Sequence, residues 1–188
     1  LIVTDDRITG VQVRRPDNSL QQIGCQALVL ASSGFGGNPH LIRQHLPQMA
    51  GAIYFGHEGN KGDAVLWGQA LGANCHDMGS FQGHGSVATP HAITVSWALL
   101  NQGGILINRD GKRFADESAG ASELATTVCG QPGGSVWAVV DQRLHDEALR
   151  FPDYRTLHDL GAIRSGGTAA DLAHACDLPV DAVLETLT

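Results

Sequence analysis

The sequence is short of basic residues and of long apolar runs, and each shortage excludes a class of function. It has 12 Lys and Arg against 19 Asp and Glu, for a net charge of −7, and its basic residues are dispersed. Neither a nucleic-acid groove nor attachment to an anionic membrane surface is therefore expected. No apolar run approaches the roughly 20 residues that a transmembrane helix needs. Residues 1–13 also lack the basic and apolar regions of a signal peptide.

The four cysteines show neither CxxC spacing nor a regular interval. A zinc site is therefore not expected, and a chain of 188 residues does not need a disulfide framework to fold. Reduced structural thiols are the default interpretation, and they favour the cytoplasm.

Glycine, in contrast, is abundant. The 24 glycines are about 13% of the 188 residues, against a background of roughly 7%. They occur in clusters without a fixed period. Such clusters indicate tight turns and close approaches of the backbone, often to a bound cofactor. The chain also begins with Leu1 inside a strand-like pattern and ends without a closing turn, which favours an internal fragment of a longer protein.

The first 50 residues predict a β-meander followed by a strand, a loop and a helix. Alternating apolar residues predict strands at 2–3, 8–13 and 20–23, with polar turns between them. The apolar run 27–31 is typical of a strand buried on both faces. A glycine-rich loop at the end of such a strand is a common ligand site in open α/β sheets, although Pro39 prevents a GxGxxG match.

Two further segments of this half carry candidate residues. Asp63 suits the N-cap of an amphipathic helix over residues 64–71, which Gly72 ends. His84 lies between Gly83 and Gly85, a gap that leaves room for a planar ligand. A structural histidine is the alternative interpretation at that position.

Residues 103–117, GGILINRDGKRFADE, predict a strand at 105–107 and a tight turn at 108–111. The turn places Arg113 at the start of the return segment, with Asp116 and Glu117 within reach of its guanidinium. Two interpretations remain from the residues alone, namely a solvated surface hairpin and a functional site.

The last part of the chain, residues 118–188, differs in composition from the part before it. Residues 118–134 are small and polar, and residues 135–141 predict a buried strand. Helices are expected at 142–149, 169–176 and 180–187, with Thr168 and Pro179 at the starts of the last two. The predicted fold class is thus α/β (α+β), with domains at 1–102 and 103–188.

Four motifs in this order resemble one family of flavoproteins: ALVLASSGFGGNP at 27–39, GNKGDAVLWGQALGA at 59–73, FQGHGS at 81–86 and GGILINRDGKRFADE at 103–117. They are similar to the flavoprotein subunits of the succinate dehydrogenase/fumarate reductase superfamily. That superfamily includes relatives of the 3-ketosteroid dehydrogenase and tricarballylate dehydrogenase type. Residues 167–187 resemble the helices of its cap domain.

The resemblance implies a Rossmann-like FAD-binding domain with a β-meander, here residues 1–102, and a mixed α/β cap domain, here residues 103–188. The active site lies between these domains in the family. The residues implied for binding FAD are Ala31, Ser32, Ser33, Gly34, Gly62 and Asp63. The family's N-terminal GxGxxG unit and its C-terminal substrate residues are missing, which supports the internal-fragment interpretation.

The resemblance also implies the catalytic residues. Arg113 corresponds to the arginine that delivers a proton in fumarate reductases, and His84 to a histidine that binds a substrate carboxylate. Reduction of an activated C=C bond needs a hydride from the flavin and a proton from the protein. Because a guanidinium also binds carboxylates, Arg113 has two possible roles, proton donor and substrate anchor. The substrate-side positions are Ser86, Ser96, Trp97 and Glu117.

Departures from the family pattern limit the functional prediction. Ser96, Trp97 and Leu100 occupy the places of the Thr, Glu and Arg of the fumarate reductase proton path, and Lys61 replaces a flavin-loop Thr. We therefore expect an FAD-dependent oxidoreductase acting on a C–C bond beside a carboxylate or ketone, but not a true fumarate reductase. The alternatives are a 3-ketosteroid dehydrogenase-like enzyme and, for this chain alone, an inactive fragment without FAD. A small-molecule substrate is expected, and the electron partner is not identified.

Overall fold

The computed structural model describes all 188 residues, which form two compact units. Unit 1 comprises residues 1–50 and 54–80, and unit 2 comprises residues 51–53 and 81–188. The units thus divide the chain near residue 80 rather than at 102. The predicted boundary at 102/103 separates an FAD-binding domain from a cap domain. A division into compact units does not test which part binds FAD, so this boundary stays a prediction.

Strands and helices are mixed along the chain, which confirms the predicted α/β class. The strands are β1 Ile2–Thr4, β2 Arg7–Arg14, β3 Leu20–Gly24, β4 Val87–Ala88, β5 Ile93–Thr94, β6 Ile105–Ile107 and β7 Trp137–Val139. The helices are α1 Pro39–His45, α2 Asp63–Ala70, α3 Ala98–Asn101, α4 Ala121–Cys129, α5 Gln142–Ala148, α6 Pro152–Asp159, α7 Ala169–Ala175 and α8 Val180–Leu187. None of these helices combines the length and the apolar character that a bilayer-spanning segment requires.

The predicted β-meander opens unit 1. Strands β1, β2 and β3 form an antiparallel sheet in that order, with Gly10 opposite Gly24 and Arg14 opposite Leu20. The first hairpin turns through Asp5 and Asp6, whose φ angles are 48° and 57°. Positive φ at both central residues follows the right-handed twist of the strands, which is why such turns suit two-residue hairpins.

The predicted buried strand at 27–31 is wrong. These residues form no ladder with any strand of the chain, and the Val29 side chain is 86% exposed. A strand covered on both faces needs neighbouring strands to satisfy its backbone groups. No strand of this chain forms a ladder with residues 27–31, so their backbone groups lack the partners that a buried strand needs.

Both predicted helices of unit 1 form, but one starts differently. At α1, the Asn38 side chain accepts hydrogen bonds from the His40 and Leu41 N–H groups and caps the helix. At α2, the N-cap is Gly62, with φ 84°, and Asp63 is the first helical residue rather than the cap. The Asp63 carboxylate makes no capping bond, so its charge near the positive end of the helix is the only stabilisation it supplies there.

Strand β6 organises unit 2. It pairs antiparallel with β7, from Ile105 opposite Val139 to Ile107 opposite Trp137. Because successive side chains point to opposite faces of a strand, Leu106 and Ile107 enter different hydrophobic clusters, and both are fully buried. The predicted strand at 105–107 is therefore confirmed.

The two clusters use different helices. Ile107 packs with Ala173, Cys176, Leu178 and Val183, which come from the α7–α8 segment. On the other face, Leu106 lies in a cluster with Trp97, Leu100 and Leu124. The site described below rests on this second cluster.

The C-terminal helices form where predicted, and Thr168 and Asp171 build a capping box at α7. Three helices were not predicted, namely α3, α4 and α6. Pro152 ends the preceding segment as expected but also opens α6 as its first residue, a position where its missing N–H costs nothing.

Candidate functional site

In unit 1, the glycine-rich loop at 31–38 is joined to the loop at 57–63 by hydrogen bonds. The Gly37 N–H donates to the Asn60 carbonyl at 2.9 Å, and the Lys61 ammonium donates to the Gly37 carbonyl at 2.6 Å. Asn38 Nδ2 donates to the Lys61 carbonyl at 2.8 Å. Two segments predicted to bind the cofactor are thus held side by side, and Lys61 has a structural role in place of the family's Thr.

The predicted cofactor residues Ala31, Ser32, Ser33 and Gly34 are exposed, and their backbone groups have no hydrogen-bond partner within the chain. Ser33 has a φ of 65°, and a Cβ added at Gly34 would meet no atom within 4 Å. A loop with free N–H and C=O groups and open space fits a ligand that brings its own polar groups, as a dinucleotide does.

The second segment predicted to bind the cofactor, Gly62 and Asp63, has one buried residue and one exposed residue. Gly62 is buried, and a Cβ there would lie 2.6 Å from Leu41 Cδ1 and 2.8 Å from Phe35 Cβ. Only glycine fits this position with a φ of 84°. The neighbouring Asp63 is exposed, and a free carboxylate accepts hydrogen bonds from ligand hydroxyl groups. The residues present therefore fit FAD.

Asn38→Ala should destabilise unit 1 by about 1 to 2 kcal/mol, because it removes both the cap of α1 and the bond to the second loop. Urea unfolding followed by circular dichroism measures this change. Gln69→Ala is the matched control, since Gln69 is exposed on α2 and its loss should change stability by less than about 0.5 kcal/mol. Equal stability of the two variants would contradict the interlocked-loop interpretation.

In unit 2, His84 is presented to solvent by a loop whose neighbouring residues are buried. The Gly85 N–H donates to the Ala121 carbonyl at 3.1 Å, and Ser122 Oγ donates to the Gly83 carbonyl at 3.1 Å. A Cβ on Gly83 would lie 2.4 Å from Ala125 Cβ. The glycines on both sides therefore let the loop press against α4, and His84 is left exposed.

Trp97 is the buried support beneath this histidine. Its ring lies edge-on to the His84 ring, with centroids 6.4 Å apart and an interplanar angle of 88°. The indole is 9% exposed and its Nε1–H donates to the Glu117 carbonyl at 3.2 Å. Trp97 thus links the histidine loop to the segment that carries Glu117.

Glu117 in turn holds Arg113. Arg113 Nε donates to both carboxylate oxygens, at 3.2 and 3.1 Å, and Nη2 donates to Oε2. The Leu106 N–H, in the buried strand β6, donates to Glu117 Oε1 at 2.7 Å. Glu117 is 3% exposed, whereas the Arg113 side chain is 50% exposed. The ion pair therefore has one anchored member and one that faces solvent.

Ionisation follows from this geometry. The hydrogen bond and the charge of Glu117 raise the pKa of Arg113. Burial raises the pKa of Glu117, but the Arg113 hydrogen bond, the Leu106 N–H and the Arg113 charge outweigh burial, so its net pKa is lowered. The proton therefore stays on Arg113, which makes the guanidinium a fixed cation and a weaker acid than a free arginine.

The predicted turn before Arg113 is held by the Asn108 side chain, a role that was not predicted. Its Oδ1 accepts the N–H groups of Asp110 and Lys112 at 3.0 and 3.1 Å, and its Nδ2 donates to Gln131 Oε1 at 3.1 Å. Ile107 then bridges to Arg113 across the turn. An Asn at the first position of an Asn-x-Asp-Gly turn is the signal that could have found it.

The four predicted substrate-side residues lie in different environments. Ser96 is exposed, and its Oγ accepts the Ala98 N–H at the start of α3. Ser86, Trp97 and Glu117 are buried. Burial and internal hydrogen bonds argue for an indirect role of Trp97 and Glu117, and contact of Ser86 and Ser96 with substrate stays a prediction.

The lowered pKa of Glu117 predicts a specific pH dependence of stability. Relative to its ordinary value of 4.5, the carboxylate stabilises the fold fully above that pH and loses this contribution as the pH falls through its folded pKa. The difference in unfolding free energy between wild type and Glu117→Gln should therefore shrink as the pH is lowered below 4.5. Urea unfolding at pH values above and below 4.5 measures this difference, and a constant difference would contradict the assigned ion pair.

The chain is similar to known proteins over its whole length. The chain is 28% identical over 189 residues to a protein named "Probable fumarate reductase Ifc3" from Shewanella frigidimarina. This alignment covers 100% of the chain and 32% of that relative. It is 28% identical over 214 residues to a 3-oxosteroid 1-dehydrogenase from Mycobacterium tuberculosis, covering 100% of this chain and 37% of that relative.

A solved structure shows the same fold. The open conformation of a flavocytochrome c3 fumarate reductase superposes with a TM-score of 0.74 at 25% identity, over 99% of this chain and 33% of that one. The chain thus spans about a third of the length of the relatives and the solved structure just described.

The family profile described as "FAD binding domain" matches residues 1–163. This range includes both interlocked loops of unit 1 and the His84, Trp97 and Arg113 region of unit 2. Because the match covers most of the 188 residues, the chain belongs to the FAD binding domain family.

Proposed function

We propose that this chain forms part of an FAD-dependent oxidoreductase that introduces or removes a C=C bond next to a carboxylate or ketone. The observation that carries the proposal is the placement of Arg113. Its guanidinium is half exposed and permanently charged, and it is fixed by a buried carboxylate beside the Trp97 support. A fixed cation of this kind suits an oxygen that becomes more negative during the reaction.

FAD, when bound, supplies or accepts the hydride of such a reaction. The chain's own residues would hold it through the open backbone of Ala31–Gly34 and through Gly62 and the Asp63 carboxylate. The remaining task of the protein is to bind the substrate, orient it and manage a proton.

Arg113 is proposed to bind the substrate oxygen with the N–H groups that Glu117 does not use. His84 is proposed to donate a second hydrogen bond. Its Nδ1 accepts the Ser86 N–H at 3.3 Å, so the neutral ring carries its proton on Nε2 and can donate from that atom. The raised pKa of Arg113 supports the role of substrate anchor over that of proton donor.

The 3-ketosteroid-type alternative is favoured by one specific feature. Two of the three positions of the fumarate-type proton path, Trp97 and Leu100, are 9% and 4% exposed and lie in an apolar cluster with Leu106 and Leu124. No side chain there can carry a proton toward Arg113. A ketone that loses hydrogen from adjacent carbons is therefore a second candidate substrate class.

The test uses the full-length protein and two opposite probes. Flavin absorbance is recorded after purification, and then under anaerobic conditions. The chemically reduced flavin is mixed with fumarate or acrylate, and the oxidised flavin with 4-androstene-3,17-dione. The proposal expects bound flavin, a change of its redox state with at least one probe, and a product that differs from the probe by two hydrogens. Absence of flavin, or no change in the redox state of the flavin with any of the probes, would contradict the proposal.

The expectation that the 188-residue chain alone is an inactive fragment without FAD stays a prediction. It is checked by flavin absorbance of the purified chain. A stoichiometric yellow preparation would overturn it.

A further inference from the structure

We infer that Glu117 is a positioning residue that fixes the Arg113 guanidinium in one orientation and leaves its outer N–H groups free for substrate. This inference rests on the proposed function, which it deepens by assigning a task to a buried carboxylate. It also replaces the expectation that Glu117 itself contacts substrate.

The first argument is that the Glu117 carboxylate is fully engaged. Oε1 accepts the Leu106 N–H at 2.7 Å and Arg113 Nε at 3.2 Å, and Oε2 accepts Arg113 Nε at 3.1 Å and Nη2. Only 3% of the side chain is exposed. A carboxylate with these partners has no free face for a substrate, so it acts through the arginine.

The second argument is that Glu117 is itself immobile. Leu106 belongs to strand β6 and is fully buried. The Glu117 carbonyl accepts the Trp97 indole N–H, and Asp116 caps the short 3-10 turn that starts at Glu117. Backbone and side chain are therefore both tied to the core, and the orientation of Glu117 is passed on to Arg113.

The third argument concerns what remains available on Arg113. A guanidinium has five N–H donors, and Glu117 engages Nε and Nη2 along one edge. Nη1 makes no hydrogen bond in the structure, and the side chain is half exposed. Arg113 thus presents Nη1 and the outer N–H of Nη2 from a fixed edge, which matches the planar recognition of a carboxylate or a carbonyl oxygen.

The electrostatic balance agrees with this role. Glu117 neutralises Arg113 on its inner edge, and the only other carboxylate that contributes to the Arg113 pKa is Asp116. Asp116 is exposed and makes its hydrogen bond to the Ser118 N–H rather than to the guanidinium. Asp116 therefore offers a matched control of similar charge and location.

The test combines a structural and a kinetic readout in the full-length protein. With 15N-labelled arginine, NMR measures the exchange of the Arg113 Nε–H with solvent. Glu117→Gln should accelerate this exchange at least about tenfold, because the uncharged amide has one acceptor oxygen where the carboxylate has two for Nε, Nη2 and the Leu106 N–H. With the probe that responds in the wild type, kcat should fall by about 10²-fold, the effect of a small misplacement, with a smaller change in KM.

Two further variants separate geometry from charge. Glu117→Asp keeps the charge but retracts the carboxylate, so positioning predicts a defect comparable to that of Glu117→Gln. Asp116→Asn removes the charge but keeps a side-chain oxygen that can cap the 3-10 turn, so both readouts should stay close to wild type. If Glu117→Gln does not fold, Glu117→Asp and Trp97→Phe carry the same exchange measurement; Trp97→Phe removes the indole N–H that binds the Glu117 carbonyl and retains most of the packing.

The outcomes are distinguishable. Unchanged Arg113 Nε–H exchange in the folded Glu117 variants would overturn the inference, and so would faster exchange with unchanged kcat. Faster exchange in Glu117→Gln and Glu117→Asp, but not in Asp116→Asn, supports positioning. If exchange responds in this way while the wild type reacts with no probe, the orientation of Arg113 by Glu117 stands and the proposed function fails.

Discussion

Replacing Arg113 with alanine should lower the turnover of the full-length protein by about 10²- to 10³-fold, the typical effect of removing one preorganised donor from a charge-stabilising site. Flavin content should be unchanged, because Arg113 is tied to Glu117 in unit 2, whereas the residues assigned to FAD are others. The measurement is kcat and KM at equal flavin occupancy, with the probe that responds in the wild type.

Arg109→Ala is the control for this experiment. Arg109 lies on the same turn and is exposed, but it donates to Ser135 Oγ at 3.2 Å and has no buried carboxylate partner. Its loss should leave turnover close to wild type. Arg113→Lys should remain strongly impaired, because an ammonium cannot reproduce the Nε and Nη2 contacts with Glu117. Wild-type turnover in Arg113→Ala would remove the basis of the assignment.

Trp97→Ala should be the most destabilising single change considered, at about 3 to 5 kcal/mol. It empties the centre of the cluster that contains Leu100, Leu106 and Leu124, and it removes the hydrogen bond to the Glu117 carbonyl. Trp97→Phe retains most of the packing and should cost less, with about 1 kcal/mol of its effect due to the lost hydrogen bond. Urea unfolding followed by circular dichroism measures both variants.

Trp67 provides the contrast for the Trp97 variants. Trp67 lies on α2 and is 41% exposed. Trp67→Ala should therefore cost less than about 1 kcal/mol. Similar losses for Trp67→Ala and Trp97→Ala would show that Trp97 is not the buried support of the site.

The sequence predicted those elements whose determinants are local. The hairpin turns of the meander, the Asn108–Gly111 turn and the Thr168 capping box form because a few neighbouring residues specify them. Helix α4 was missed because residues 118–134 read as small and polar. Ala121, Leu124, Ala125 and Val128 nevertheless have the spacing of a helical face, and this signal could have found it.

The remaining features depend on distant parts of the chain. The run at 27–31 reads as a buried strand, but a strand needs partners that no local pattern supplies. The Leu106 N–H donates to Glu117, and the turn between these residues brings them close together. Spacing alone could not show that the acceptor is Glu117 rather than Asp116. The sequence thus predicted that Arg113 lies near Asp116 and Glu117. The structure shows that its partner is the buried Glu117.

The most direct test of the account is a single-turnover measurement of flavin absorbance in the full-length wild type and in Arg113→Ala. Both proteins are reduced anaerobically and mixed with fumarate or acrylate; for a ketone substrate, both are mixed in the oxidised state with 4-androstene-3,17-dione. The account predicts equal flavin content, a rapid absorbance change in the wild type and a change slower by about 10²-fold or more in the variant. Equal rates in the two proteins, or a wild type without flavin, would contradict it.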